Sequence, residues 1–330
     1  MKNLRWGILG CARIAERALI PALRQAKGAE LLGIAARDAS RAREWAVRHS
    51  IPRSYPDYAA LLDDPDIDAI YLPLPNHLHA AWAIRAARAG KHVLCEKPLA
   101  LDGREAARMF LAAERAGVRL LEAFMYRFHP LFETALRLAD KSGIGEIRTV
   151  RSAFTFRIAS GAEDYRWNPA MGGGSIYDVG CYPVHAARTI FHEEPVSVFA
   201  RARFDKKRGI DLGAALLLEF PGGRQALLDC AFDASFQSEL EIAGSDGRII
   251  VPRAYSAKHF DVPIEVRKGD DARTILVPAA NAYVRMIGRF QDAILHGRPL
   301  CCGLADARGN ARLLAAALRS AKSGRVVRMA

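Results

Sequence analysis

Residues 4–15 read L-R-W-G-I-L-G-C-A-R-I-A, a short apolar run that stops at Gly10 and is followed by helix-permissive sequence. The run has the length of a buried parallel strand, and the residues after it predict a helix that ends near Ala26. A strand that turns sharply into a helix directs the free N–H groups of the helix N-terminus beyond the strand end, and this arrangement binds phosphate. Gly10, Ala12 and Ala15 therefore form a variant dinucleotide-binding fingerprint, with Ala12 in the place of the second glycine. The alternative is an ordinary strand–turn–helix corner.

The first 124 residues continue as alternating short apolar runs and helical stretches of 10–15 residues, which predicts a parallel sheet with helices on both faces. The expected strands after the first are Leu31–Ala36, Ile67–Leu74, His92–Glu96 and Arg119–Ala123. We therefore predict an α/β fold whose N-terminal part, residues 1–124, is a Rossmann dinucleotide-binding domain. Ligands of such sheets bind beyond the carboxyl ends of the strands.

Residues 125–330 change to a two-residue alternation of apolar and polar side chains, first over Val150–Ile158, with turns rich in Gly and Pro between some of the runs. This pattern is typical of a mainly antiparallel sheet. A helix is expected near Ser175–Phe191, and two helices close the chain, the first with Tyr283, Ile287, Phe290 and Ile294 on one face. We expect a C-terminal α+β domain with a large open sheet.

Composition excludes several classes of function. The net charge of +12 is spread along the chain without a basic tail or an aromatic-basic motif, so we expect no nucleic-acid partner. No apolar run approaches about 20 residues, and no secretory signal precedes the first strand, so we expect a cytoplasmic protein without a membrane partner. The six cysteines are scattered and fit free thiols. No set of side chains has the spacing of a metal site.

The second predicted strand ends in Ala36-Arg37-Asp38, where an NAD-binding site usually carries an acidic residue for the ribose hydroxyls. Arg37, with Arg41, instead suits the 2′-phosphate of NADP. NADP(H) is therefore favoured and NAD(H) remains possible, since Asp38 could reach the ribose. The alternative for Arg37 is a solvated surface arginine.

Two further motifs follow strand ends. In Pro73-Leu74-Pro75-Asn76-His77-Leu78-His79 the prolines extend the backbone, so that Asn76 and His79 face the ligand, although His79 could merely open the next helix. Glu96-Lys97-Pro98 places Lys97 where the nicotinamide is expected. A lysine in a partly dry site near other positive charge has a lowered pKa and can exchange a proton with a substrate hydroxyl. The alternative is a surface ion pair of Glu96 with Lys97.

The segment 172–185, G-G-G-S-I-Y-D-V-G-C-Y-P-V-H, carries the last group. Asp178, Tyr182 and His185 are spaced by four and three residues and share one face of a helix. They offer a carboxylate, a phenol and an imidazole for binding a sugar and handling a proton. Pro183 fits if the helix begins near Tyr182, and His185 also fits a hydrogen-bonded core histidine.

Together these residues resemble the Gfo/Idh/MocA oxidoreductases, the glucose–fructose oxidoreductase and inositol dehydrogenase family. The resemblance is carried by residues 5–15 and 35–38, by P-L-P-N-H-L-H at 73–79, by E-K-P-L-A at 96–100, by E-A-F-M-Y-R-F-H-P at 122–130 and by residues 172–183. The pattern is most similar to the branch of glucose–fructose oxidoreductase, xylose dehydrogenase and dihydrodiol dehydrogenase, whose members often carry alanine at the place of Ala12.

The resemblance implies roles for particular residues. Lys97, Asp178 and Tyr182 are the expected catalytic residues, with Tyr182 or Lys97 as the proton carrier. Cofactor contacts are expected from Gly10, Ala12, Arg13, Ile14, Arg37, Arg41, Leu74, Pro75, Asn76, His79, Glu96, Lys97 and Arg127. Substrate contacts are expected from Lys97, Arg166, Trp167, Asp178, Tyr182 and His185.

The expected activity is NADP-dependent hydride transfer to or from a carbinol or carbonyl carbon of a sugar, cyclic polyol or dihydrodiol. The chain is then a CH–OH dehydrogenase or reductase that forms a homodimer or higher homo-oligomer through its C-terminal sheet. The alternatives are a nucleotide-sugar ketoreductase, a redox-assisted glycosidase of the same family and a non-catalytic NAD(P)-sensing regulator. Lys97 argues against the regulator.

Overall fold

The computed structural model describes residues 3–158, 164–257 and 260–329, with the side chains of residues 141 and 142 left out. The chain divides into two compact units. The first comprises Met1–Met125 and Asn281–Arg308, and the second comprises Tyr126–Ala280 and Gly309–Ala330.

The first unit contains a six-stranded sheet in which every pair of neighbouring strands is parallel. The strand order is β3-β2-β1-β4-β5-β6, so the chain winds outward in both directions from β1. Its strands are β1 (Leu4–Leu9), β2 (Ala29–Ala35), β3 (Arg53–Tyr55), β4 (Ala69–Leu72), β5 (His92–Cys95) and β6 (Leu120–Glu122). Their near-continuous burial is what a sheet covered on both faces requires.

The second unit contains a nine-stranded sheet of order β14-β13-β12-β11-β7-β10-β9-β8-β15. The neighbours β7 and β10 run parallel, and the other neighbours whose pairing is described are antiparallel. Its strands are β7 (Ile147–Thr155), β8 (Ser197–Phe204), β9 (Asp211–Glu219), β10 (Gln225–Ala231), β11 (Gln237–Gly244), β12 (Arg248–Val251), β13 (Val262–Lys268), β14 (Asp271–Val277) and β15 (Val327–Arg328).

Helices connect and cover these strands. The α-helices are α1 (Ile20–Gln25), α2 (Ala39–Arg48), α3 (Tyr58–Asp63), α4 (His79–Arg88), α5 (Gly103–Arg115), α6 (Pro130–Ala139), α7 (Lys141–Ile144), α8 (Cys181–Phe191), α9 (Ala282–His296) and α10 (Leu304–Ser323). Two π-helical turns precede α1 and α8, at Ala15–Leu19 and Ile176–Gly180. Among the described residues, we find no helix that combines the length and the apolarity needed to cross a bilayer.

Side-chain caps begin several of these helices. Asp38, Asp57 and Asp102 precede α2, α3 and α5, and each carboxylate accepts a hydrogen bond from a backbone N–H of the first turn. Asn281 does the same for α9. The polar residue before an apolar periodic stretch therefore marks these boundaries correctly.

The predicted architecture is confirmed: a Rossmann-type parallel sheet is followed by a large, mainly antiparallel sheet. The edge strand β3, the two-residue strand β15 and helix α6 were not predicted. The boundary also differs in one respect. We expected residues 125–330 to form one continuous domain, whereas Asn281–Arg308 belongs to the first unit.

Burial explains why α9 belongs to the first unit. Phe290 is fully buried, and its ring centroid lies 5.8 Å from that of Trp6 on β1. Met286 and Ile287 are also fully buried, while Tyr283 and Ile294 are only half-buried. The buried face of α9 therefore centres on Ile287 and Phe290, and it completes the apolar cover of the parallel sheet.

We predict that Phe290→Ala lowers the free energy of unfolding by about 3–5 kcal/mol, because it leaves a cavity against Trp6. Leu295→Ala on the same helix is the matched control, since Leu295 is exposed and its truncation changes stability by no more than about 0.5 kcal/mol. Denaturant unfolding followed by tryptophan fluorescence measures both. Equal losses in the two variants would contradict the assignment of α9 to this core.

Candidate active site

The turn after β1 is built around Gly10. Its φ of +114° lies in the region that favours glycine, and an added Cβ would lie 2.8 Å from Cδ2 of Leu74. The helix begins immediately afterwards, since the Ala12 carbonyl accepts hydrogen bonds from the N–H groups of Ala15 and Glu16. Ala12 is half-buried, so its methyl group is accommodated. A tight glycine turn that opens a helix fits the pyrophosphate of a dinucleotide.

Two exposed arginines follow β2, Arg37 in the turn after the strand and Arg41 in α2. Arg41 donates a hydrogen bond of 3.2 Å to the Cys11 carbonyl, which ties α2 to the glycine turn. The Asp38 carboxylate accepts hydrogen bonds of 2.8 and 2.7 Å from the N–H and hydroxyl of Ser40. These bonds lower the pKa of Asp38 and engage it as a helix cap. Arg37 and Arg41 are therefore the groups here that fit a 2′-phosphate.

His79 has a different place from the one expected. It is fully buried, with Nδ1 2.9 Å from the Pro98 carbonyl oxygen and Nε2 2.8 Å from that of Leu74. Burial lowers the pKa of His79 to about 4, so the ring is neutral and donates to one of these carbonyls. His79 was predicted to contact the cofactor. Instead it joins the loop after β4 to the loop after β5, and Asn76 beside it is also buried.

Lys97 follows β5 directly and is half-buried. The peptide bond between Lys97 and Pro98 is cis. Glu96 is buried, and its carboxylate accepts a hydrogen bond of 2.5 Å from the Tyr71 hydroxyl and a longer one, 3.3 Å, from the Lys97 backbone N–H. A second buried carboxylate, Glu122, accepts from the backbone of Leu99 at 2.8 Å. The lysine is therefore anchored by buried hydrogen bonds on both sides of its loop.

Tyr283 of α9 is a neighbour of this loop that the sequence analysis did not include in the site. Burial and the charge of Glu96 raise the pKa of Tyr283, while Lys97 opposes that rise. Its phenol is thus un-ionised. The signal available in the sequence, an apolar face on a distant helix, predicted only a packing role.

In the second unit Asp178 and Arg166 form an ion pair that the sequence analysis did not predict as a pair. The distance from Arg166 Nε to Asp178 Oδ2 is 2.7 Å, and Arg166 Nη1 lies 3.0 Å from Asp164 Oδ2. The Asp178 side chain is 3% exposed and that of Arg166 is 28% exposed. Asp178 raises the pKa of Arg166. Two of the expected substrate contacts therefore contact each other.

Tyr182 and His185 lie on α8 with different surroundings. Tyr182 packs in an aromatic cluster, with ring centroids 5.1 Å from Phe154 and 5.5 Å from Tyr255. His185 is fully buried, and its Nδ1 shares a hydrogen bond of 2.5 Å with the Tyr126 hydroxyl. His185, predicted as a substrate contact, is thus the core histidine of the alternative interpretation. Pro183 is the third residue of α8, just after the π-helical turn that ends at Gly180.

The glycine motif before α8 is held by Asp211, which the sequence analysis missed. Asp211 is buried and accepts hydrogen bonds of 2.7 and 2.6 Å from the Ser175 hydroxyl and the Ile176 N–H. A Cβ on Gly174 would lie 2.1 Å from Asp211 Oδ1, and the φ of Gly174 is +106°. Desolvation raises the pKa of Asp211 to about 6. No sequence signal marks this residue, because its partners lie far along the chain.

Two other expected contacts are Arg127 and Trp167. Arg127 is half-buried, with its guanidinium carbon 5.4 Å from the centroid of the Phe132 ring. Trp167 is half-buried, 6.1 Å from Phe232 between ring centroids, and Arg208 lies over its face at 5.2 Å. Both belong to the second unit.

Comparison with known proteins gives a consistent result. Residues 4–124 match the oxidoreductase family with an NAD-binding Rossmann fold, and residues 132–250 match the GFO/IDH/MocA C-terminal domain. The chain belongs to the Gfo/Idh/MocA oxidoreductase family. The expected family, fold class and enzyme class are therefore confirmed.

Three members of this family are similar to the chain over nearly its whole length. An uncharacterised oxidoreductase of Rhizobium meliloti is 41% identical, with 98% of each chain covered. The D-xylose 1-dehydrogenase (NADP+) of Haloferax volcanii is 38% identical over 99% of this chain and 100% of the relative. The crystal structure of a 3-ketoreductase from Actinomadura kijaniata with NADP and TDP-benzene has a TM-score of 0.91 at 33% identity, covering 97% and 98% of the two chains.

We predict that Asp211→Asn removes a pH dependence of stability. The folded-state pKa of about 6 lies above the usual 3.8, so the folded state binds a proton more readily than the unfolded state. The stability that Asp211 contributes is then fully present below about pH 4 and is lost as the pH rises to about 6. Two pKa units correspond to about 3 kcal/mol.

Denaturant unfolding of wild type and Asp211→Asn between pH 4 and pH 7 measures this difference. The asparagine oxygen can accept the same two hydrogen bonds, so the variant should gain on the wild type as the pH rises. A constant difference across this range would show that Asp211 is not a buried titrating group.

Proposed function

We propose that this family member catalyses reversible hydride transfer between NADP(H) and a carbinol or carbonyl carbon of a sugar or sugar-like substrate. The observation that carries the proposal is Lys97, a half-buried lysine at the carboxyl end of β5, in the same sheet as the glycine turn after β1. A charged side chain anchored at that edge of a Rossmann-type sheet is placed for chemistry on a ligand that the sheet binds.

NADP(H), when bound, supplies the hydride and so the redox chemistry. The glycine turn at Gly10 and the helix start at Ala12–Ile14 would hold its pyrophosphate. Arg37 and Arg41 would hold the 2′-phosphate, a choice supported by the engagement of Asp38 as a helix cap. The D-xylose dehydrogenase similar to this chain is named for NADP+, and the similar 3-ketoreductase structure contains NADP.

The residues of the chain then have three tasks. Lys97 or Tyr182 exchanges the proton of the substrate hydroxyl. General acid–base catalysis of this kind typically raises the rate by about 10²–10⁴-fold. Asp178 orients the substrate by accepting a hydroxyl hydrogen bond. Glu96, anchored by Tyr71, fixes the backbone of Lys97. We include Trp167 and Arg127 among the contacts, because each is half-buried and presents a planar group.

Two substrate classes have support among the relatives. A free aldose is favoured, because the D-xylose dehydrogenase is 38% identical over 99% of this chain. A nucleotide-linked ketosugar is the second candidate, because the 3-ketoreductase structure matches at a TM-score of 0.91. Both use the same hydride chemistry and differ in what is attached to the sugar.

A spectrophotometric screen at the nicotinamide absorbance band tests the function. The purified enzyme is assayed with NADP+ and with NAD+ against D-xylose, other aldoses, inositols and trans-dihydrodiols, and with NADPH against a TDP-ketosugar. We expect turnover with an aldose and NADP+. Turnover only with the ketosugar would favour the second candidate, and no turnover together with no NADPH binding would refute the function.

We predict that Lys97→Met lowers kcat by at least about 10²-fold, because a positioned proton donor is lost. Binding of NADPH, measured by fluorescence titration, should remain mostly intact. Lys27→Met, which removes an exposed lysine of the same unit, is the matched control and should keep full turnover. Unchanged turnover in the Lys97 variant would refute its catalytic role.

We predict that Arg37→Ala shifts cofactor selectivity toward NAD+ by about 10–100-fold, the range for losing a charge-assisted hydrogen bond. The loss should appear in kcat/KM for NADP+ and leave that for NAD+ nearly unchanged, because NAD+ has no 2′-phosphate. Arg43→Ala, an exposed arginine of α2, is the control. Equal losses for both cofactors would place Arg37 outside the 2′-phosphate site.

We also propose a homodimer or higher homo-oligomer that uses the open face of the nine-stranded sheet. On β10 the inward side chains Ala226, Leu228 and Cys230 are buried, whereas Leu227 on the other face is 45% exposed. Such an apolar side chain on an uncovered sheet face supports burial against a second copy. The cysteines are free thiols, which supports placement in the cytoplasm.

A further inference from the structure

The ion pair of the second unit links three side chains in a row. Arg166 donates from Nε to Asp178 and from Nη1 to Asp164, at 2.7 and 3.0 Å. The two carboxylates are thus bridged by different nitrogens of one planar guanidinium, which a lysine ammonium could not reproduce in the same geometry. The orientation of the Arg166 guanidinium therefore determines the orientation of the Asp178 carboxylate.

The backbone around Arg166 is held independently of its side chain. The Gly174 N–H donates a hydrogen bond of 3.0 Å to the Arg166 carbonyl. A Cβ on Gly173 would lie 2.5 Å from that carbonyl oxygen, so the glycine motif packs directly against this backbone. Asp164 caps the turn by accepting from the Arg166 N–H at 3.1 Å. Removing the guanidinium therefore leaves the backbone contacts of the segment in place.

Burial decides what the ion pair does. The Asp178 side chain is 3% exposed, and a carboxylate removed from water loses its charge unless a cation or several donors compensate. Arg166 supplies that compensation and is itself 28% exposed. The protonation state and the orientation of the Asp178 carboxylate therefore depend on Arg166 more than those of Arg166 depend on Asp178.

We propose that Arg166 is a positioning residue, which keeps Asp178 ionised and in one orientation so that Asp178 accepts the hydrogen bond of the sugar hydroxyl. This inference rests on the proposed function and changes the expected role of Arg166, from a substrate contact to the support of one. Asp164 is the second anchor of the guanidinium.

Other groups also lie beside this pair. The guanidinium carbon of Arg166 lies 5.4 Å from the Tyr165 ring centroid, and the carboxylates of Asp178 and Asp164 both favour the protonated arginine. The Cys181 thiol donates to the Asp178 backbone carbonyl at 3.4 Å, not to its carboxylate. Arg166 is thus a cation in direct contact with the Asp178 carboxylate.

The test compares Arg166→Ala, Arg166→Lys and Asp164→Asn in the full chain, with D-xylose and NADP+ or the substrate pair found active in the screen. For Arg166→Ala we expect kcat to fall by about 10²-fold, as for a small misplacement of a reacting group, with KM changed less than about threefold. The acid limb of its kcat–pH profile should move to higher pH, because the carboxylate has lost the cation that favours ionisation.

Three comparisons separate positioning from a purely structural role. Added ethylguanidinium should restore part of the kcat of Arg166→Ala, whereas a folding defect would not respond to it. Arg166→Lys keeps the positive charge, and Asp164→Asn keeps the arginine. Both variants should therefore lose less kcat than Arg166→Ala. Arg203→Gln removes an exposed arginine that pairs with Asp233 at 2.6 Å in the same unit, and it should match the wild type.

The outcomes are distinct. A wild-type acid limb and kcat in Arg166→Ala would overturn the inference while leaving the proposed function standing. A large rise in KM at unchanged kcat would also overturn it, because Arg166 would then bind substrate directly. No turnover by the wild type with any substrate of the screen would refute the proposed function, and this inference with it.

Discussion

The N-terminal unit depends on one constraint, that all six strands of its sheet are parallel. Their carboxyl ends therefore meet at one edge, and the turns after β2, β1, β4 and β5 follow each other along it. In that order they carry Arg37, Gly10, Asn76 and Lys97. Three strand spacings of about 4.8 Å separate the first turn from the last, roughly 14 Å. The order runs from the group proposed for the 2′-phosphate, past the turn proposed for the pyrophosphate, to the proposed proton-handling lysine. The 2′-phosphate, the pyrophosphate and the nicotinamide follow each other in the same order along NADP.

The second unit handles two buried carboxylates in opposite ways, on either side of the same glycine motif. Asp211 is compensated by hydrogen bonds from Ser175 and Ile176 without a cation, so desolvation prevails and its pKa rises to about 6. Asp178 is compensated by the guanidinium of Arg166. The first arrangement tolerates protonation and suits a residue that shapes a turn. The second pairs the carboxylate with a cation, which fits the substrate-orienting role proposed for Asp178.

The sequence was sufficient for what is local. The strand ends, the caps at Asp38 and Asp102 and the alternation along β10 are all encoded within a few residues, and each was predictable by its period or its side-chain chemistry. The sequence alone did not reveal contacts between residues that lie far apart along the chain. The contact of Trp6 with Phe290 places α9 in the first unit, and Asp211 meets Ser175 only after an intervening helix and strand. A two-residue strand such as β15 is too short to carry any period.

The two histidines show the same limit at the level of a single side chain. The sequence does not show whether a histidine within a motif lines a site or packs in a core, because the difference lies in the hydrogen-bond partners of its ring nitrogens. For His79 these are the carbonyl oxygens of Leu74 and Pro98, and for His185 the hydroxyl of Tyr126. His79 nevertheless serves the site. It fastens the loop after Lys97 from one side, as Glu122 does through Leu99, so that the backbone of the half-buried lysine is fixed by its buried neighbours. A side chain that meets a reacting atom to within about 0.5 Å needs such a support, and the buried residues around this loop therefore fit the catalytic role proposed for Lys97.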